Sequence, residues 1–310
     1  MGSSEGRPEP RANERRETRA GPPPPADAQA PAVLITGAST GIGAACALDL
    51  DARGFRVFAG VRSEADGERL RRQASERVSP LRIDVTEPES VRAAAEQVTA
   101  AVGEAGLTGL VNNAGILVSA PVELVDLDLL RRQLEVNVIG VVAVTQALLP
   151  LVRAARGRIV NVGSISGRVV APGLGPYAAS KFALEAVTDA LRVELRKWGI
   201  SVSIVEPDTV KTPIWDKALA SAEVPPHGRG AEAAGLYDDE LLALRKATYT
   251  MGKTGMPVER VVCAVRHALC ARRPKTRYPV GVRTRLAFWA ARHLPDRLRD
   301  WFVVRAVRTS

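Results

Sequence analysis

Cysteine and histidine are both scarce, and their scarcity removes whole classes of function. Cys46, Cys263 and Cys270 are too few and too scattered for a disulfide framework or a zinc site, and three histidines supply no alternative ligand set. A reduced, cytoplasmic setting and no structural metal are therefore expected. No apolar run is read as reaching the eighteen or so residues needed to span a bilayer, and the N-terminal stretch lacks an apolar signal core. The opening MGSSEG also misses the myristoylation pattern, because Gly6 stands where Ser or Thr is required. An evenly spread positive charge is missing too. Residues 1–30 balance five arginines against five acids, whereas residues 272–310 carry eleven Lys/Arg against Asp296 and Asp300, which equals the net +9 of the whole chain. A neutral body with a basic tail argues against a broad nucleic-acid surface.

What is present is a 46% hydrophobic fraction in 310 residues, enough for a sizeable core. Residues 1–30, rich in Pro, Arg, Glu and Ala and without an aromatic, read as a disordered leader. From Ala32 onward short β-branched runs alternate with helical stretches. Strands are expected at 32–36, 56–60, 81–85, 109–113, 158–164 and 201–207. Helices are expected from Gly41, near 64–77, over 88–104, near 127–155 and from about 176 to 198. Strands apolar on both faces imply a parallel sheet covered by helices on each side, and right-handed crossovers make it an α/β doubly wound Rossmann sheet. One domain over 31–282 is expected, with a lid near 213–256 and a basic amphipathic extension at 283–310.

The first strand runs into Thr36-Gly37-Ala38-Ser39-Thr40-Gly41-Ile42-Gly43. Glycine lets a backbone turn tightly and approach a pyrophosphate, whose charge is favoured at the free N–H groups of a helix start. Asp84-Val85 and Asn112-Asn113-Ala114-Gly115 close the third and fourth strands, at the carboxyl ends where such ligands bind. Tyr177 and Lys181 stand four apart in a helical run and so share a face, and Ser164 precedes Tyr177 by thirteen residues. Each piece is a weak signal and their combination is specific.

Together these motifs resemble the short-chain dehydrogenase/reductase family over roughly residues 32–215, with spacing and a basic tail similar to its retinol and hydroxysteroid dehydrogenase branch. The resemblance implies an NAD(P)-dependent oxidoreductase with a Ser164–Tyr177–Lys181 triad, a supporting Asn137 that helps a water relay protons, and a homodimer or homotetramer formed through the helices near 127–155 and 176–198. It also implies cofactor contacts from Gly37, Ser39, Thr40, Gly41, Ile42 and Gly43, then from Asp84, Val85, Asn113, Ala114 and Gly115, and finally from Tyr177, Lys181, Pro207 and Thr212. The chemistry agrees. Hydride exchange with a carbonyl carbon needs a proton donor or acceptor at the oxygen, and a free tyrosine near pKa 10 is a poor base at neutral pH. An ammonium one turn away favours the phenolate.

At the end of the second strand, Val61 occupies the place of the acid that binds the 2′-hydroxyl of NAD, and Arg62 follows it. This favours NADP, with NAD still open because Glu64 and Asp66 are near and the glycine loop carries Ser39 and Thr40 rather than a basic residue. Asp208 replaces the glycine that the family places after Pro207, adding a side chain beside the nicotinamide. Val118, Leu174, Ile214 and Trp215 are expected to line the substrate side, with no anchor for a phosphate or carboxylate, so the substrate is read as a hydrophobic alcohol or ketone. Over 283–310, Leu286, Trp289 and Ala290, then Leu298, Trp301 and Phe302 after Pro295, form apolar helical faces among arginines. Two uses stay open: packing on the protein itself, or lying on an anionic membrane surface. The rival functional readings are a non-catalytic NADP-binding regulator and a membrane-surface protein acting through its tail.

Overall fold

The computed structural model describes residues 30–221 and 233–308, so the expected leader falls outside the described residues, apart from Ala30, as do positions 222–232 of the expected lid. Seven parallel strands form one sheet in the order β3-β2-β1-β4-β5-β6-β7: β1 (Ala32–Ile35), β2 (Arg56–Val61), β3 (Val78–Arg82), β4 (Gly109–Asn112), β5 (Arg158–Val162), β6 (Ser201–Pro207) and β7 (Arg277–Val280). Six follow the reading of the sequence, though β3 lies earlier than expected. Asp84 and Val85 belong to the loop beyond it, because Asp84 Oδ1 accepts from Thr86 N (3.0 Å) and Thr86 Oγ1 (2.7 Å) and so bends the chain out of the ladder. The seventh strand was not anticipated. Its four residues include Pro279, which an edge strand tolerates and a pattern search discounts.

The helices are α1 (Gly41–Asp51), α2 (Glu64–Arg71), α3 (Pro88–Val102), α4 (Leu127–Leu134), α5 (Gly140–Ala154), α6 (Gly175–Glu194), α7 (Ile214–Ser221), α8 (Asp238–Thr254), α9 (Glu259–Cys270), α10 (Val282–His293) and α11 (Asp296–Arg308). Alternating side chains of each strand point to opposite faces. Val33 and Ile35 therefore join Val57, Val111 and Val160 under α1 and α9. Leu34 joins Phe58, Leu110 and Ile159 under α3 and α5. Strands buried on both faces explain why their sequences read as unbroken apolar runs.

The stretch near 127–155 is two helices joined by a π-helical turn, Glu135–Ile139. Contrary to the reading of the sequence, Leu127–Ala154 is long enough to span a membrane and contains an 18-residue window of mean hydropathy 1.8. Val144, Leu148 and Val152 of that stretch lie in the core against the sheet, which accounts for its apolarity. From β3 the chain crosses to the far side of β1 and enters β4, so β1 and β4 bracket the point where the winding reverses. Ligands of such sheets bind at the carboxyl ends there. Gly37, Asn113, Ser164 and Pro207 all emerge from that edge.

Candidate active site

A cavity of about 820 Å³ runs along the carboxyl edge of the sheet, with the glycine loop forming one end of it. Gly37 has φ +65° and Gly41 φ +59°, backbone conformations that L side chains rarely adopt. A methyl at Gly43 would fall 2.3 Å from the Gly37 carbonyl oxygen, so this position admits only glycine as the loop stands. Gly43 does not line the cavity, as had been expected of a cofactor contact; it lets α1 close on the loop behind it, while Ser39, Thr40, Gly41 and Ile42 reach the cavity with Gly37. Asn113 locks the arrangement. Its Nδ2 donates to the Thr36 and Gly37 carbonyls, both at 3.0 Å, and Thr36 Oγ1 accepts from the amides of Asn113 and Ala114, again at 3.0 Å. The first turn of α1 carries no acid, and Thr40 makes no side-chain cap. Free amides facing the cavity beneath a glycine turn fit a pyrophosphate.

Ser164 follows β5, and Tyr177 and Lys181 stand one turn apart on the buried face of α6; all three line the cavity. Burial pushes the Tyr177 phenol up to about 12, opposed by its hydrogen bond with Ser164. Burial also pulls the Lys181 ammonium down to about 8, opposed by the Glu185 charge one turn further along. Lys181 Nζ donates to the Val162 carbonyl (2.9 Å) and lies 5.7 Å from the centroid of the Tyr177 ring. Ser164 Oγ accepts from Ser166 N (3.1 Å), which fixes the rotamer that faces Tyr177. At neutral pH the site thus holds a protonated phenol beside a charged ammonium.

Asn137 sits in the π turn and does not reach the cavity. Its Oδ1 accepts from Ile116 N (2.9 Å), and its Nδ2 donates to Ile116 O (2.9 Å) and Ser180 Oγ (3.0 Å). Through these bonds the side chain braces the loop after Asn113 against α6. A second buried ladder had no signal in the sequence. Asn112 Nδ2 donates to Asn161 Oδ1 (2.9 Å) and Thr145 Oγ1 (3.1 Å), and Asn161 Nδ2 to Thr188 Oγ1 (2.8 Å), joining β4 and β5 to α5 and α6 on one face of the sheet. Only strand pairing could have shown that these residues meet.

Flanking the glycine loop, beyond the ends of β2, β3 and β4, Val61, Arg62, Asp84 and Val85 form the wall with Asn113, Ala114 and Gly115. Burial works against the Asp84 charge, yet hydrogen bonds from Thr86 and then the Arg62 and Arg132 charges hold its carboxyl below the ordinary range. Asp66, four residues after Arg62, is already engaged by Ser63 Oγ (2.8 Å) and Arg69 Nη2 (2.5 Å), and Arg69 also donates to the Ser39 carbonyl (3.1 Å). Glu64 does not line the cavity.

Pro207, Asp208 and Thr212 line the middle of the cavity, and Asp208 Oδ1 accepts from Thr209 N (2.7 Å). Of the expected apolar lining, Leu174, Ile214 and Trp215 are in place. Val118 is not; it is buried behind the wall, its amide donating to Gln133 Oε1. Three residues of the C-terminal extension were not foreseen as lining: Arg283, Leu286 and Phe302. They arrive because β7 sends α10 across the turn Ile165–Gly167 that follows Ser164, with Arg168 stacked 5.7 Å from the Phe288 ring.

Residues 31–223 match the short chain dehydrogenase family. Retinol dehydrogenase 5 of Mus musculus is 39% identical over 86% of this chain and 86% of its own. 17-beta-hydroxysteroid dehydrogenase type 6 of Bos taurus is 39% identical over 88% of each. A solved short-chain dehydrogenase of Burkholderia cenocepacia, in complex with NADP, superposes with a TM-score of 0.67 at 27% identity, covering 87% of this chain and 95% of that one. A glycine loop, its asparagine clamp and a buried Ser–Tyr–Lys cluster on one cavity agree with these matches: the chain belongs to the short-chain dehydrogenase/reductase family, in its retinol and hydroxysteroid dehydrogenase-like branch, and is an NAD(P)-dependent oxidoreductase.

Proposed function

We propose that the protein interconverts a hydrophobic alcohol and its carbonyl, with Tyr177 as acid/base and NADP as the preferred cofactor. The observation that carries this reading is a single cavity with the glycine loop at one end, Ser164, Tyr177 and Lys181 in the middle and Leu174, Ile214, Trp215 and Phe302 at the far side. The glycine loop, Asn113 to Gly115, Lys181 and Thr212 would hold the dinucleotide, which would supply or accept the hydride. Ser164 donates to the substrate oxygen and fixes it beside the phenol. In carbonyl reduction Tyr177, protonated at neutral pH, gives its proton to that oxygen as negative charge develops there. In alcohol oxidation the phenolate takes the proton, and the Lys181 charge stabilises it. Apolar walls exclude water, which strengthens each of these interactions.

NADP preference is supported by Arg62 on the cavity wall, by Val61 in the acid's place and by the engagement of Asp66 with Arg69. A lid role for α7 and α8 is supported by Ile214, Trp215 and Met251, which line the cavity. The arginine-rich α10–α11 hairpin exposes Trp289, Leu298, Trp301 and Phe302, which suits peripheral contact with an anionic membrane by an otherwise cytoplasmic protein. Exposed Leu127, Ile139, Phe182 and Val193 on the long helices suit a homodimer or homotetramer. The test is a panel of retinol, hydroxysteroids and long-chain secondary alcohols, with their carbonyls, run with NADH and NADPH. Turnover of at least one apolar member with preference for NADPH is expected; turnover confined to small polar alcohols would contradict the reading.

A further inference from the structure

The substrate side of the cavity is mostly apolar, and a guanidinium stands on its wall. Four cationic side chains line the cavity among the described residues: Arg62, Lys181, Lys217 and Arg283. Three have evident business. Arg62 faces Asp84, Lys217 lies in the field of Asp66, and Lys181 is bound to the Val162 carbonyl beside Tyr177. Arg283 belongs to no ion pair or hydrogen bond recorded among the described residues. Asp208 shares its wall, but that carboxylate is not within ion-pairing distance of the guanidinium and accepts from Thr209 N.

The topology places Arg283 at the substrate end. It follows β7, the edge strand, whereas the glycine loop follows β1, four strands away in the order β1-β4-β5-β6-β7. At about 4.8 Å per strand that separation is roughly 19 Å along the sheet edge, while Ser164 after β5 is only two strands away, about 10 Å. Leu286, one helical turn beyond Arg283, and Phe302 continue the same wall as apolar surface. An apolar trough from Tyr177 to an unpaired guanidinium has the shape of an amphipathic ligand site: a hydrocarbon body and an acidic end.

We propose that Arg283 is a specificity-determining residue that binds a carboxylate or similar anionic group about 10 Å from the reacting carbon of an otherwise apolar alcohol or ketone. The proposal rests on the reaction assigned above but narrows its substrate class, and it changes the expectation that no acid anchor exists.

Two measurements on the full chain test it, without lipid present. The first is calorimetric binding of decanoate and of methyl decanoate to the NADP-saturated protein, which needs no turnover. The second is KM for oxo-fatty acids of graded ketone position and for their methyl esters. A charge-assisted hydrogen bond at an exposed arginine predicts at least about a tenfold preference for the acid in both, falling as salt rises. Arg283→Gln should bring the acid-to-ester ratio to near one, and Arg283→Lys should restore part of it. Equal binding of acid and ester by the wild type overturns the proposal, as does an unchanged ratio in Arg283→Gln. If acid and ester bind alike while Arg283→Gln weakens binding to phosphatidylserine vesicles, the guanidinium serves a lipid phosphate and the proposal fails. Binding preference without turnover of any ketone would sustain the Arg283 assignment and refute the reaction instead.

Discussion

Replacing Gly43 with alanine tests whether the glycine loop is held by close backbone contact. The added methyl would lie 2.3 Å from Gly37 O, 2.5 Å from Asn113 Nδ2 and 2.9 Å from Gly37 C. Two of those three atoms are main chain, so the loop must move by most of an ångström. Over-packing of this kind costs about 1–3 kcal/mol. Losing the Asn113 hydrogen bond to Gly37 O adds about 1 kcal/mol. Alanine in a helix returns about 0.5–1 kcal/mol of backbone entropy. The net loss is about 1–3 kcal/mol, a fall in Tm of roughly 2–10 °C at this chain size. The displaced amides should weaken dinucleotide binding at least tenfold. Gly54→Ala is the control: its methyl meets nothing within 4 Å and its φ of +84° brings strain alone, so it should lower Tm and leave binding intact. Calorimetric melting and fluorescence titration with NADPH read both quantities. Binding by Gly43→Ala within twofold of wild type would refute the close-contact argument.

Three further outcomes are expected. Val61→Asp with Arg62→Ala should shift kcat/KM toward NADH by about ten- to 150-fold, the worth of a charge-assisted bond to a 2′-phosphate, and a wild type that already prefers NADH would contradict it. Glu206 is fully buried, and burial together with the Glu185 charge pushes its carboxyl from the ordinary 4.5 up to about 8. Because the folded state keeps that proton longer, its contribution to stability is complete below 4.5 and is lost as pH rises through about 8; Glu206→Gln should flatten the fall of Tm between pH 5 and 8, and an unchanged slope would show that other groups cause it. Sedimentation with anionic vesicles should show salt-sensitive binding by the full chain and none by a chain ending at Val280, whereas no binding by either assigns the hairpin to packing alone.

The parts legible in the sequence were those encoded locally. Strand alternation gave six of the seven strands, and the glycine spacing located the loop beside α1, because backbone conformations such as the φ of Gly37 leave few alternatives to glycine. Ser164, Tyr177 and Lys181 carry a spacing that one helix and one turn preserve, and the structure brings them onto one cavity. Features depending on packing between distant segments were not legible. The role of Asn137 is decided by Ile116 and Ser180, the seventh strand by pairing with β6, and the place of Arg283 by the path of α10 after β7. In the first two the partners lie far apart in sequence, and the third depends on where pairing with β6 puts β7.

The most direct test of the account is Tyr177→Phe, assayed on the substrate best turned over in the panel. The change removes the hydroxyl and keeps the ring that packs with Leu117 and Trp215. It should therefore leave folding and NADPH binding within a fewfold of wild type while kcat falls by well over about 100-fold, the usual loss when a general acid/base is removed. Turnover within tenfold of wild type would show that another group moves the proton and that the central assignment is wrong.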